Sequence, residues 1–129
     1  MPTPKGRILC TEDNADTREL LIVILERVGY DVTCTDNAEH ALTLARSQPF
    51  DLYLVDSWLP NSSGTNLTEL IREFDNKTPV LFYSGAAHDT DLQNALKAGA
   101  NGYIVKPADN DKLVAEVDRL IENSKMTYN

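Results

Sequence analysis

Apolar residues along this chain follow two alternating rhythms. Five short runs, at positions 7–11, 31–35, 51–56, 79–83 and 102–105, have strand length and carry β-branched or aromatic residues. Between them, apolar positions recur at the period of one helix face. The first such stripe is Leu20, Leu21, Ile24, Leu25 and Val28, and the second is Ala38, Ala41, Leu42 and Ala45. A third is Leu67, Leu70, Ile71 and Phe74, a weaker fourth is Leu92, Ala95 and Leu96 within 89–98, and the last is Leu113, Val114, Val117, Leu120 and Ile121 within 109–122.

Punctuation supports the same division. Asn14 and Asp16 are cap candidates for the first helix, with Asp16 and Glu19 at capping-box spacing and Gly29 placed to stop it. Asp36 and Asn37 cap the second, Pro49 closes it, and the loop 61–64 leads into the third. Strands and helices in strict alternation predict a doubly wound α/β fold, with a five-stranded parallel sheet, right-handed crossovers and helices on both faces. The reading is one domain over 5–124, followed by a frayed polar tail at 125–129.

Bulk properties narrow the function classes. A chain of 129 residues supports one core. A net charge of -8 argues against a nucleic-acid surface, which needs clustered Lys and Arg, and fits solubility or a basic protein partner. No apolar run approaches the roughly 20 residues of a membrane span. No signal-peptide core follows Met1 either, so the expectation is a cytoplasmic protein with no membrane insertion. Met1 and the short tail further suggest an untrimmed chain with no output domain. Cys10 and Cys34 fall in predicted strands and read as small core residues; a regulatory disulfide is the alternative if those strands are neighbours. His40 and His88 read as surface residues.

Candidate chemistry gathers around the central run, which ends on Asp56 and continues Ser57-Trp58-Leu59-Pro60. Polar residues stand just past four of the five predicted strands: Glu12-Asp13, Asp56, Ser84 and Lys106. A parallel sheet brings those ends to one edge, where such folds bind ligands. Two carboxylates about 4 Å apart repel by roughly 4 kcal/mol at an effective dielectric of 20, so a proton or a cation must offset them. All-oxygen ligands suit Mg²⁺, which also binds phosphate oxygens. A carboxylate can attack phosphorus to give an aspartyl-phosphate. Lys106 then neutralises phosphoryl charge while the Ser84 hydroxyl and backbone amides hold other oxygens.

Each residue taken singly has a plainer reading. Glu12-Asp13 could be dipole partners of the first helix, Asp56 a turn former and Ser84-Gly85 an ordinary turn. Lys106 could be a solvated lysine, Tyr103 a half-buried strand aromatic and Trp58 a docking residue. Their coincidence at successive strand ends favours the joint site.

With these residues the chain resembles, from about residue 6 to residue 123, the receiver domains of two-component response regulators. The resemblance implies a flavodoxin-like strand order 2-1-3-4-5, with Asp56 as phosphoacceptor, Asp13 on the metal and Glu12 acting through water. It also implies that the Trp58 backbone carbonyl ligates the metal, that Ser84 is a switch hydroxyl, and that Tyr103 is an aromatic that changes rotamer. Lys106 becomes the phosphate contact, with a cis peptide to Pro107. Gly64 and Ala98-Gly99-Ala100 match the family's glycine positions, and Leu59 stands where Met is usual. Ala108 stands where many transcription-factor receivers have Phe, which weakens analogy with their dimerisation face. The bulky Trp58 is expected to shield the acylphosphate from water.

The implied function is a phosphoryl-accepting switch, loaded with Mg²⁺ (or Mn²⁺ in its place) by a sensor histidine kinase or histidine phosphotransfer protein. Output passes to a protein partner on the face of the fourth helix, fifth strand and last helix, or along a phosphorelay. No enzymatic activity is expected beyond Mg-dependent self-phosphorylation and autodephosphorylation. Two rivals remain. One is an enzyme, a small aspartyl-phosphate phosphatase or another flavodoxin-like catalyst, disfavoured because Trp58 stands where such phosphatases place a second Asp and no cap domain exists. The other is a phosphorylation-independent binding module, disfavoured because the whole polar set is present.

Overall fold

The structure, a computed structural model, describes residues 3–126. The elements are β1 (Arg7–Thr11), α1 (Ala15–Arg27), β2 (Asp31–Thr35), α2 (Ala38–Ser47), β3 (Leu52–Val55), β4 (Trp58–Leu59), β5 (Ser62–Ser63), α3 (Gly64–Arg72), β6 (Val80–Ser84), α4 (Asp89–Ala98), β7 (Gly102–Val105) and α5 (Asn110–Met126). Five strands make one sheet in the order β2-β1-β3-β6-β7, every pair parallel. Counting only these five, the order is 2-1-3-4-5, the flavodoxin-like arrangement expected.

Strand β3 explains the architecture. It pairs with β1 on one side and β6 on the other, and all of Leu52, Tyr53, Leu54 and Val55 are buried. Alternation sends its side chains to opposite faces. Leu52 and Leu54 join Ile8, Cys10 and Leu81 under α1 and α5, while Tyr53 and Val55 join Leu9 and Phe82 under α2, α3 and α4. A strand covered on both faces has no position for a polar residue until it leaves the sheet, which it does at Asp56. Among the described residues no helix is long and apolar enough to cross a membrane.

Several local expectations are corrected. Asn14 caps α1, its side chain accepting from Thr17 N–H at 2.9 Å, and Asp16 lies inside the first turn. Leu20 is half exposed because the buried stripe is centred on Leu21, Ile24 and Leu25. Helix α4 packs on Ala95 and Ala98, whose small side chains allow close approach, and this turns Leu92 and Leu96 outward. Phe74 lies beyond α3, exposed, with the Arg46 guanidinium over its ring. Residues 58–63 form an antiparallel hairpin, β4 with β5, turning through Asn61 in the left-handed region at φ 58.

Helix α5 continues to Met126 instead of ending at 122, since no Gly or Pro follows Pro107 to stop it. Of the expected tail at 125–129, Lys125 and Met126 are thus helical, and 127–129 lie outside the described residues. Cys10 and Cys34 stand opposite each other in the β1–β2 register as free thiols. The Cys34 contact and burial together push the Cys10 thiol well above its ordinary range.

Candidate functional site

The carboxyl ends of β1, β3, β6 and β7 carry the polar residues singled out above. Their backbone is fixed by the sheet itself. Glu12 N–H donates to Thr35 O at 3.0 Å, Asp56 N–H to Thr11 O at 3.1 Å, and Lys106 N–H to Ser84 O at 2.8 Å. These bonds continue the parallel ladders one residue past each strand and hold the side chains at one edge.

Glu12, Asp13 and Asp56 come together there, each with a carboxylate oxygen within 4.8 Å of the others. Glu12 and Asp56 are buried, and Asp13 is exposed. Lys106 reaches across from β7, its Nζ 2.5 Å from Glu12 Oε1 and 3.5 Å from Asp56 Oδ2, and 5.3 Å from the centre of the Tyr83 ring. Glu12 Oε2 accepts from Asn14 N–H at 3.1 Å, so this carboxylate also tethers the start of α1. Burial raises the Glu12 carboxyl above its usual range, against the pull of the Lys106 ammonium. For Lys106 burial acts downward, but the hydrogen bond to Glu12 and the Asp56 charge outweigh it and hold the ammonium more basic than usual.

Asp56 Oδ1 is buried and has no hydrogen-bond partner among the described residues. A buried carboxylate oxygen left this way costs on the order of 1–3 kcal/mol. Lys106 is one ammonium for two buried carboxylates, Glu12 and Asp56. An orphaned oxygen in an all-oxygen set fits a hard divalent cation. Residues Glu12, Asp13 and Asp56 are those able to hold it.

The loop after Asp56 is pinned by Gly64. A Cβ there would lie 2.3 Å from Asp56 O, 2.8 Å from Val55 Cγ1 and 2.9 Å from Phe82 Cε2, and Gly64 N–H donates to Ser57 O at 2.9 Å. Only glycine allows α3 to begin this close to the acidic strand end. Trp58 pairs with Ser63 in the hairpin, and the residue is 64% exposed.

On the other side, Ser84 is fully buried, its Oγ accepting from Ala86 N–H at 3.1 Å. The Tyr103 ring stacks on Phe82 with centroids 5.5 Å apart, and its hydroxyl donates to Ala86 O at 2.6 Å and meets Ser57 Oγ at 3.2 Å. The Lys106–Pro107 peptide is cis. Sequence reasoning passed over Ser57, which has no patterned neighbour to mark it; its only signal is adjacency to Asp56. His40 and His88 are both exposed; His40 Nδ1 lies 3.0 Å from Thr35 Oγ1, and His88 caps α4.

Comparison with known proteins agrees with this geometry. A family profile described as the response regulator receiver domain matches residues 8–118. A probable transcriptional regulatory protein of Picosynechococcus sp. is 34% identical over 94% of this chain and 51% of its own length. The chain spans about half the length, or less, of the curated relatives it matches. A CheY-like response regulator receiver domain protein from Methanospirillum hungatei has a TM-score of 0.90 at 27% identity, over 94% of this chain and 97% of that one. The receiver domain of the sensor histidine kinase PA1611 from Pseudomonas aeruginosa, which holds a magnesium ion in its active-site cleft, has a TM-score of 0.85 at 30% identity, over 91% and 98%.

Proposed function

The chain belongs to the response regulator receiver domain family, and on that premise we propose that it is a switch that accepts a phosphoryl group on Asp56 with Mg²⁺ bound by Glu12, Asp13 and Asp56. The observation that carries this reading is the buried, unpartnered Asp56 Oδ1 beside a lysine and two further carboxylates. The magnesium in the Pseudomonas receiver domain supports the choice of metal; the Trp58 carbonyl is proposed as a further ligand.

When bound, the cation supplies charge neutralisation for the phosphoryl oxygens and the acidic cluster. The chain's own residues do the rest. An Asp56 carboxylate oxygen attacks phosphorus, the new O–P bond forming as the bond from phosphorus to the donor's histidine nitrogen breaks. Lys106, already 3.5 Å from Asp56 Oδ2, is close enough to take a phosphoryl oxygen as its partner. Ser84 ends β6, and because its Oγ accepts from Ala86 N–H, its own proton is available to another phosphoryl oxygen. Beyond labelling itself and shedding the group, the chain is assigned no reaction.

The donor is proposed to be a sensor histidine kinase or a histidine phosphotransfer protein. The partner surface is proposed to be α4, β7 and α5, where Leu92, Leu96 and Val105 are exposed. The added charge of about -1.5 to -2 shifts the population of the β6–α4 loop and Tyr103, not the fold. The test is intact mass after acetyl phosphate with Mg²⁺. One phosphoryl adduct is expected on the native chain and none on Asp56→Asn; an adduct on both would reject Asp56 as the acceptor, and none on either would reject the switch.

A further inference from the structure

We propose that Ser57 is a positioning residue of this switch: its hydroxyl holds Tyr103 turned in over Phe82 and so ties the loop after Asp56 to the loop after Ser84. The inference rests on the phosphoryl-switch reading and adds to it a residue that the site's acidic and basic groups do not include.

Proton accounting gives the direction of the link. A phenol has one proton, and the carbonyl of Ala86, which can only accept, takes it at 2.6 Å. The 3.2 Å contact between Tyr103 Oη and Ser57 Oγ must therefore use the serine proton. Ala86 N–H in turn donates to Ser84 Oγ. The result is a chain of donors and acceptors from Ser57 through Tyr103 and Ala86 to Ser84, linking the loop after β3 to the end of β6 by way of a side chain from within β7. The ring itself is packed by the Phe82 stack on one side and is only half-buried. Burial alone thus restrains it less than a core residue, and the hydroxyl contacts decide its rotamer.

Ser57 is suited to this part because its backbone is held from the far side. Its carbonyl accepts from Gly64 N–H at 2.9 Å, and the neighbouring Asp56 carbonyl abuts Gly64. With the main chain fixed, the side chain is the element free to make or give up the bond. The tyrosine is already turned in within the unmodified chain, so the Ser57 bond gives the resting protein part of the arrangement that phosphorylation of Asp56 completes.

The test follows Tyr103 by NMR in the full chain, reading contacts between its ring protons and those of Phe82. Tyr103→Phe identifies the signal among the five tyrosines. Losing one hydrogen bond is expected to move the rotamer ratio outward by about tenfold. Ser57→Ala should weaken the ring–ring contact, Ser57→Thr should restore it, and addition of beryllofluoride with Mg²⁺ should bring the Ser57→Ala ring back. If Ser57→Ala keeps wild-type contact, the proposal fails. Should Ser57→Ala fold poorly, Ser57→Val is compared with Ser57→Thr, which has nearly the same shape and keeps the hydroxyl; equal ring contact in the two also overturns the proposal. Acetyl phosphate labelling is read separately. Absence of an adduct would reject the switch and leave the rotamer result standing.

Discussion

The Lys106 ammonium rests on Glu12 more closely than on Asp56, 2.5 Å from the one carboxylate and 3.5 Å from the other. Both side chains are nearly sealed from solvent, at 3% and 9% exposure. Removing the cation leaves two buried acids facing each other. Lys106→Ala is expected to lower stability at neutral pH by about 3 kcal/mol. The loss should shrink toward acid. A Glu12 carboxyl raised in the folded state binds its proton more readily folded than unfolded, so stability returns as pH falls through the folded value. Urea unfolding of both proteins at pH 5 and pH 7.5 checks this; equal losses would refute it.

Asp13 is the exposed member of the acidic trio, and its charge is useful only when a cation is present. Asp13→Asn should stabilise the cation-free protein by under about 1 kcal/mol at low salt, by relieving repulsion. The same change should weaken Mg²⁺ binding by about tenfold. Titration of the thermal midpoint with MgCl₂ measures both effects in one series.

Gly64 admits no Cβ without displacing the Asp56 carbonyl, which is backbone and cannot rotate away. Gly64→Ala is expected to cost about 3 kcal/mol. It should also slow acetyl phosphate labelling more than it slows folding, because the displaced atom belongs to the acceptor residue. A variant with native labelling and native stability would contradict the close approach.

How far the chain was legible depended on what each residue type can signal. The five strands were readable because β3 and its neighbours are buried on both faces, which forces unbroken apolar runs. The polar residues past those runs were readable for the same reason, since the first permitted carboxylate after Val55 is Asp56. Helix faces were less so. Periodicity weights Leu92 and Leu96 above Ala95, yet α4 needs its alanines inward to lie close. The β4–β5 hairpin rests on two paired residues per strand and leaves no pattern in Trp58-Leu59 or Ser62-Ser63. Ser57 was invisible because its role depends on where Tyr103 arrives from 46 residues away.

At the opposite end of the sheet, Asp75 takes N–H bonds from Lys77 and Thr78 at 3.0 Å on one oxygen and the Tyr53 hydroxyl at 3.0 Å on the other. Burial opposes the charge, but these donors prevail and hold the carboxyl below its ordinary range. Its stabilisation is therefore complete above the unfolded value near 3.9 and is lost as pH falls through the lower folded value. Asp75→Asn is expected to cost about 2 kcal/mol at pH 7 and much less at pH 2.5. The two acid-unfolding curves should converge; parallel curves would show the donors to be unimportant.

Trp58 is mostly exposed, so Trp58→Ala should leave stability within about 0.5 kcal/mol. If the indole shields the acylphosphate, the same variant sheds its phosphoryl group several-fold faster. Radiolabel decay decides, and equal lifetimes would dispose of the shield.

The same side chain makes the molecule its own reporter. It is the single tryptophan, it meets solvent, and it lies two residues from the proposed acceptor. Its emission therefore comes from one place, and any quenching or colour shift on adding ion or phosphodonor tracks events at this edge of the sheet in real time, with no dye attached.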